Sequence, residues 1–477
     1  MNITQRIGKN TTLLYVSQII SYIFTFFYTI YLARFLGADG YGILSFALAF
    51  SGIFSILADL GLSTLTVREL SKDKSLTRNY LGNILAIKLL LALISFGIIV
   101  LLLNIMEYPQ ITVNVVYLIS LSVIITSICG IFYSIFQAYE KMEFQSLGQI
   151  LNSILMFSGV LIAIYLTSSV VGFALIYLIS SIITLIYVFV VCLKMFTIPQ
   201  LKFNWKFWKI NIKEALPFGV TGISVMTYTY IDSVILSIFK GNEVVGWYNA
   251  AYKLVLFFVF IPTTINIAIF PSMSKFHISS PESLKLLNEK YFKFMLIIGI
   301  PIGIGTTLLS EKIISLLFGA GFTQSIISLQ ILIWTIVFTF AGAAFVRLLE
   351  ATNKQLILTK ITGISVIVNV LLNLILIPKF SFVGASISTV LTEIFLITTV
   401  FWISYKLGYG VPFKKILDIL LKITFASFVL VLFILYFIDW NLIILILISI
   451  LAYFSTLFII KGFDDEDTMI IKQLFHR

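Results

Sequence analysis

The chain has 477 residues, 60% of them apolar and only 11% charged, with a mean hydropathy of +1.08. An ordinary soluble domain carries about 25% charged residues, and a soluble fold of this length would expose far more surface than so apolar a chain can offer to water. The formal net charge of +11 would suit a nucleic-acid partner, but the basic residues gather in alternate short loops, which speaks for a lipid bilayer and against nucleic acid.

From the N-terminus, Met1 to Asn10 is polar and the apolar run Thr11 to Leu32 has full span length. No small-residue cleavage site follows a short apolar core, so the first span is expected to stay in the protein. Further apolar runs lie at 42–64, 81–104, 113–136, 150–167, 170–193, 215–239, 253–272, 293–310, 326–350, 356–377, 383–404, 417–438 and 441–460. Each is close to the roughly 20 residues with which a helix crosses about 30 Å of hydrocarbon. Barrel strands would be about half that length and would alternate. The expected fold is an all-α polytopic membrane protein of about 14 transmembrane helices, because lipid leaves the backbone no partner outside the helix itself.

With the N-terminus in the cytoplasm, only Arg34, Lys240, Lys312 and Lys379 of the loop cations fall outside. Inside lie Arg6, Lys9, Arg68, Lys72, Lys74, Arg78, Lys141, the cluster from Lys194 to Lys213, and those near Lys285, Lys414, Lys472 and Arg477. This bias places both termini on the cytoplasmic side of the cell membrane. The acidic run Asp464–Asp467 then reads as a solvated tail. No loop is long enough for a soluble domain, which argues against an enzyme with an extramembrane active site. Within the inside linker, LKFNWKFWKINIK (Leu201–Lys213) interleaves Trp205, Phe207 and Trp208 with Lys202, Lys206 and Lys209. The rings suit the headgroup region and the lysines suit anionic lipid. The segment reads as an interfacial linker, with lipid-substrate docking as the sharper alternative.

Three segment pairs repeat in order. FLGADGYGILSFA (from Phe35) resembles FKGNEVVGWYNAA (from Phe239), so that Gly37 and Gly42 fall on Gly241 and Gly246. Ala138 and Lys141 fall on Ala351 and Lys354, and Val171-Gly172 on Val383-Gly384. Two parallel six-helix repeats follow. The expected organisation is an N-terminal lobe 1–193, an interfacial linker 194–214, a C-terminal lobe 215–404, two added spans in 405–460 and a tail 461–477. Parallel repeats about an axis along the membrane normal are a transporter architecture, with the substrate between the halves.

Charges at membrane depth mark function by default. Glu393 and Lys88 lie near the middle of their spans and Asp232 about one turn beyond it. They either face a hydrated interior or pair across the halves. Asp59, Arg347, Glu350, Lys360 and Lys422 lie nearer the inner ends, Lys253 and Arg34 nearer the outer ends, where Lys and Arg can snorkel. Arg347 and Glu350 are spaced for an intrahelical pair, and a guanidinium is also the natural bidentate partner of phosphate. The polar stripe Thr221, Ser224, Thr227, Tyr228, Thr229, Tyr230 either lines a cavity or bonds between helices. Cys129 and Cys192 read as small hydrophobes. There is no Walker-type phosphate loop and no nucleophile–base constellation. The histidines, His277 and His476, form no metal cluster, so neither a catalytic nor a metal site is expected.

Three stretches carry a family resemblance. ALPFGVTGISVMTYTYIDSVILSIFKGNEVVGWYNAAYKL (Ala215–Leu254), LARFLGADGYG (Leu32–Gly42) and the hairpin Asn353–Glu393, with Asn369, Asn373, Pro378 and Gly384, resemble the polysaccharide repeat-unit flippases. These are the O-antigen and exopolysaccharide translocases of the multidrug/oligosaccharidyl-lipid/polysaccharide superfamily. The resemblance implies two lobes like those of the multidrug antiporters and the lipid II flippase, with two further C-terminal helices and a central cavity. It implies transfer of a polyprenyl-(pyro)phosphate-linked oligosaccharide to the outer leaflet for cell-surface polysaccharide, beside a polymerase and glycosyltransferases. By position it implies Arg34, Lys88, Asp232, Lys253 and Arg347 as cavity residues. No organic cofactor is expected; H⁺ or Na⁺ is the coupling ion if one is used, at Asp232 or Glu393. A multidrug antiporter would want an acidic cavity, and the mixed charges here tilt against it. A lipid II flippase is the other alternative.

Overall fold

The computed structural model describes residues 3–198, 200–464 and 467. Lys472, His476, Arg477, Asp465 and Glu466 lie outside the described residues, as do the side chains of Arg6 and Lys9. The helices in chain order are α1 (Ile3–Ser55), α2 (Leu62–Lys72), α3 (Thr77–Met106), α4 (Gln110–Ala138), α5 (Met142–Tyr165), α6 (Val170–Met195) and α7 (Trp205–Lys240). They continue as α8 (Asn242–Phe258), α9 (Phe260–Ser279), α10 (Pro281–Leu317), α11 (Ser325–Ala351), α12 (Gln355–Ser404), α13 (Phe413–Tyr436) and α14 (Leu442–Ile459). Among the described residues there is no strand.

Among the described residues, twelve helical segments are long and apolar enough to cross a membrane, and two of them are double length: Thr12–Ser55 with 44 residues and Gln355–Tyr409 with 55. Both contain a break, at Gly37 (φ 68°, ψ −179°) and Ser381 (φ 55°, ψ −138°). The Gly37 conformation is one that a side chain would forbid. Around Ser381 the chain reverses: a Cβ on Gly384 would collide with the Leu376 carbonyl, and Asn369 Nδ2 donates to Thr392 Oγ1 at 3.3 Å. The first arm of α1 runs along α5, through Ser17–Gln149 and Ser21–Ser153 hydrogen bonds and a Phe24–Phe157 ring contact. Its second arm meets α4 through Ser51–Ser120 at 2.8 Å. Counting each double segment as two spans gives the fourteen crossings expected from the apolar runs.

The helices pack as two compact units, 1–249 and 250–477. In the first, a core of Leu62, Leu65, Leu81, Ile84, Phe132, Phe136 and Val188 joins α2, α3, α4 and α6, and Trp208 of α7 closes it. Here α7 packs on α1 and α2. The repeat-related glycines meet reciprocally: a Cβ on Gly42 would overlap the Asn242 carbonyl, and one on Gly246 would overlap the Ala38 carbonyl. Ala38 and Asn242 carry the same offset of 204 as Gly42 and Gly246. Only glycine lets two backbones approach so closely.

In the second unit, α10 packs on α11 and α11 on α12. Phe345 bridges Phe292 and Phe401, and Tyr453 of α14 donates to the Ile297 carbonyl at 2.9 Å. Here the acidic tail is not simply solvated. Asp464 and Asp467 are both ion-paired to Lys290 and Lys293 of α10, with Lys290–Asp464 at 2.6 Å and Lys290–Asp467 at 3.0 Å. Burial opposes the charge on Asp464, but the hydrogen bond from Lys290, the Asp467 backbone N–H and the Lys293 ammonium hold its carboxyl well below the usual carboxylate range. Two ammonium groups within α10, about three turns from its start, leave an acidic tail little reason to stay in water.

Candidate functional site

Asp59 sits in the turn between α1 and α2, where Leu60 and Gly61 both have positive φ. Its Oδ2 accepts from the Gly61 N–H at 3.1 Å and its Oδ1 from Ser63 Oγ at 2.5 Å, so the carboxylate closes the turn. Lys88 of α3 reaches the same place. Its fully buried ammonium lies 2.6 Å from Asp59 Oδ1, and donates to Ser63 Oγ at 2.9 Å and the Ser127 carbonyl at 2.7 Å. Three acceptors use all three protons of an ammonium. The pair lies inside the first unit and does not bridge two halves. Sequence spacing offered no hint of it, since Asp59 lies in a turn and Lys88 on α3.

Beside this pair opens a cavity of about 360 Å³. Asp59 and Ser63 line it, with Tyr28, Ser55, Thr126, Asn152, Tyr177 and Ser181, while Lys88 stands behind them. A pocket with hydroxyl, amide and aromatic groups converging on one space suits a polar organic ligand. Tyr28, Asn152 and Tyr177 were not singled out from the sequence. Each is a polar group inside an apolar run, and a span-by-span inventory of such residues would have found them.

Asp232 is buried in α7, and Tyr248 donates to its Oδ2 at 2.6 Å. Ser233 beside it accepts from Asn249 at 2.9 Å. The polar stripe that precedes it is partly self-satisfied: Thr221, Ser224 and Thr229 donate to carbonyls four residues back in their own helix. Arg34 is exposed on α1.

The helix that carries Lys253 begins earlier than the apolar run. The apolar run suggested a span from 253, but α8 already begins at Asn242 and the span candidate is Asn242–Asn266. After a turn at Val259 the helix continues as α9 to Ser279, so Lys253 lies about three turns in from the start of a longer helical segment. The reason is that the polar residues before it are accommodated in helix: Asn249 bonds to Ser233, and Gly246 receives the α1 backbone. The Lys253 side chain is half-buried, and no hydrogen-bond or ion-pair partner for it occurs among the described residues.

Arg347 of α11 forms the expected i,i+3 pair, with Nη1 2.5 Å from Glu350 Oε2. Its guanidinium lies 5.9 Å from the centre of the Phe270 ring, within cation–π range. Its Nε is buried with no hydrogen-bond partner among the described residues. On α12, Glu393 accepts from Thr339 at 2.7 Å, next to the buried Asn369, Asn373 and Thr392. A second cavity of about 310 Å³ lies between α10, α13 and α14, lined by Pro301, Ile302, Leu309, Leu430, Ile434, Ile450 and Phe454 among others. Its lining is almost wholly apolar, and it suits a hydrocarbon chain.

Comparison with known proteins gives concordant results. The chain is 28% identical over 188 residues to the probable low-salt glycan biosynthesis flippase Agl15 of Haloferax volcanii, a match that spans 39% of each chain. The aligned part is thus about two fifths of that relative's length. It is 24% identical over 405 residues to the capsular polysaccharide biosynthesis protein CapF of Staphylococcus aureus, covering 81% of this chain and 96% of that one. The fold matches a solved lipid II flippase, MurJ, in an inward-closed conformation, with TM-score 0.77 at 18% identity over 94% of this chain and 99% of that one. The MatE family model matches residues 217–375. The family model for polysaccharide biosynthesis protein matches residues 7–277, more than half of the chain, and the chain belongs to that family.

Proposed function

We propose that the protein is a flippase that moves a polyprenyl-(pyro)phosphate-linked oligosaccharide from the cytoplasmic to the outer leaflet by alternating access, with both its termini in the cytoplasm. The observation that carries this reading is Lys253. A half-buried ammonium inside an apolar helix, with no partner among the described residues, is costly in hydrocarbon, and it is retained where an anionic group comes and goes. Arg347 supports it, since its Nε is unused and its planar fork suits phosphate oxygens. The polar cavity at Tyr28, Asn152 and Tyr177 suits sugar hydroxyls, each of which would cost several kcal/mol if carried unpaired through lipid. The apolar cavity between α10, α13 and α14 suits the carrier's hydrocarbon chain. The names of the relatives Agl15 and CapF point the same way.

A multidrug antiporter for cationic substrates would need a free acid. Here Asp59 is bound to Lys88, Asp232 accepts from Tyr248 and Glu393 from Thr339, while the uncommitted charge is cationic. Asp232 and Glu393 remain the residues at which H⁺ or Na⁺ would couple to transport.

The test is depletion of the protein in its host, followed by mass spectrometry of lipid-linked glycans with a sidedness assay on intact protoplasts. A polyprenyl-linked oligosaccharide accumulating in the inner leaflet alone is the expected result. Absence of such a species, with new sensitivity to cationic drugs, would replace the reading with the antiporter.

A further inference from the structure

The segment 200–214 before and into α7 is held rigidly against α3. The Lys202 N–H donates to the Gly82 carbonyl at 3.4 Å, and a Cβ on Gly82 would overlap the Gln200 carbonyl. Asn83 Oδ1 accepts from the Asn204 N–H at 3.2 Å and from Trp208 Nε1 at 3.3 Å. Asn204 in turn caps α7 through the Phe207 N–H at 3.1 Å. Phe207 packs on Tyr80 with ring centres 4.9 Å apart. Trp208, which composition alone assigned to the headgroup region, is thereby turned inward and only 7% exposed.

What remains outside is an aromatic and basic surface. Phe203 is 77% exposed and Trp205 75%. Lys202, Lys206 and Lys209 are exposed beside them, with Lys213 one turn further along the helix. The one acid of the segment, Glu214, is taken by Arg68 of α2. No acidic partner of the four lysines occurs among the described residues.

We propose that this strap is a binding site for anionic phospholipid, with Phe203 and Trp205 seated at the headgroup boundary and Lys202, Lys206, Lys209 and Lys213 on the phosphates. The occupant follows from three features together. Exposed rings beside a bundle of apolar helices belong at the headgroup level. Four uncompensated ammonium groups in one short segment call for negative charge. Anchoring through Gly82 and Asn83 means that little ordering entropy is lost on binding. Near an anionic surface each lysine is worth about fivefold in partition, or about 1 kcal/mol. The proposal is independent of which molecule the protein transports.

The experiment uses the full-length protein in vesicles of phosphatidylcholine containing a minor fraction of dibrominated phosphatidylglycerol, or the same fraction of dibrominated phosphatidylcholine. The Trp205 signal is isolated by difference from Trp205→Phe. The brominated anionic lipid is expected to quench Trp205 about tenfold more effectively per mole than the neutral one. The preference should fall at high salt, as the screening length shortens, and should vanish in the quadruple variant K202Q/K206Q/K209Q/K213Q. Equal quenching by the two lipids overturns the proposal, as does a preference that survives the quadruple variant. If that variant does not fold, the salt series on the unaltered protein decides alone: a preference unchanged by salt overturns the proposal.

Discussion

Lys88 and Lys253 both lie within the apolar helices, and their surroundings are opposite. Lys88 is wholly buried and gives each of its protons to an acceptor, one of them a carboxylate. Lys253 is half-buried and gives its protons to no described residue. The first arrangement is what a fold needs in order to keep a charge in a low-dielectric interior. The second leaves the cost uncovered, which is sensible only where a ligand or water supplies the missing partner. Depth alone marks both residues as functional; the count of acceptors separates them.

The largest expected effect is on stability at the first site. Lys88→Ala leaves the Asp59 carboxylate without its counter-charge, and breaking a buried pair on one side costs about 3–5 kcal/mol. Sharply reduced yield and a lowered unfolding temperature in detergent should follow. Removing both charges in D59N/K88M should recover most of that loss, because two neutral groups leave no orphaned ion. If Lys88→Ala is as stable as the parent, the contrast between the two lysines is void.

The next effect is on transport at the second site. Lys253→Ala should leave the unfolding temperature within the range of ordinary surface substitutions, about 0.5 kcal/mol, since no hydrogen bond or ion pair among the described residues is lost. Translocation of the lipid-linked glycan should drop at least tenfold, about 1.4 kcal/mol of lost interaction, and Lys253→Arg should retain it. A large stability change in Lys253→Ala with transport per folded molecule intact would assign Lys253 to structure and remove the main support for a phosphate site.

A third, smaller effect probes how tightly the Lys88 cage is built. Gly130 faces it: an added Cβ would stand 3.2 Å from Ser63 Oγ and 3.5 Å from Lys88 Nζ. Those distances ask for shifts of a few tenths of an ångström, so Gly130→Ala should cost about 1 kcal/mol, the lower end for overpacking. Thermal unfolding of the single variant measures it, and no change would mean that the cage is looser than its hydrogen bonds suggest.

The sequence was most informative where physics is local. Span length is a property of a continuous run, so fourteen crossings were countable, and Gly37 and Pro378 mark the tips of the two helical hairpins. The Arg347–Glu350 pair needs only helical periodicity and was legible for that reason. The Asp59–Lys88 cage needs the left-handed turn at Leu60–Gly61 and the packing of α3 on α4, neither of which a linear pattern encodes. The start of the eighth span was set too late because Trp247, Tyr248 and Asn249 read as a loop, although α8 already begins at Asn242 and the Tyr248 and Asn249 polar groups are met within the bundle. Trp208 was misjudged for the same reason, since its partner Asn83 lies on another helix.

The least effect is expected where water shares the charge. Lys290 and Lys293 hold Asp464 and Asp467 as Lys88 holds Asp59, but Asp464 is half-exposed. Solvent screening limits such a pair to about 0–1 kcal/mol, so Asp464→Asn should lower the unfolding temperature only slightly. The carboxyl of Asp464 is depressed in the folded protein, so the unfolded chain binds its proton first as pH falls. Its contribution is therefore fully present above the unfolded value of about 3.9 and is lost only as pH falls through the lower folded value. The difference between the parent and Asp464→Asn should accordingly be constant from pH 8 to pH 5 and shrink below about pH 4. A difference that already fades between pH 7 and pH 5 would mean that the tail is not held by these two lysines. The graded series from Lys253 through the tail to Lys88 would then lose its middle member.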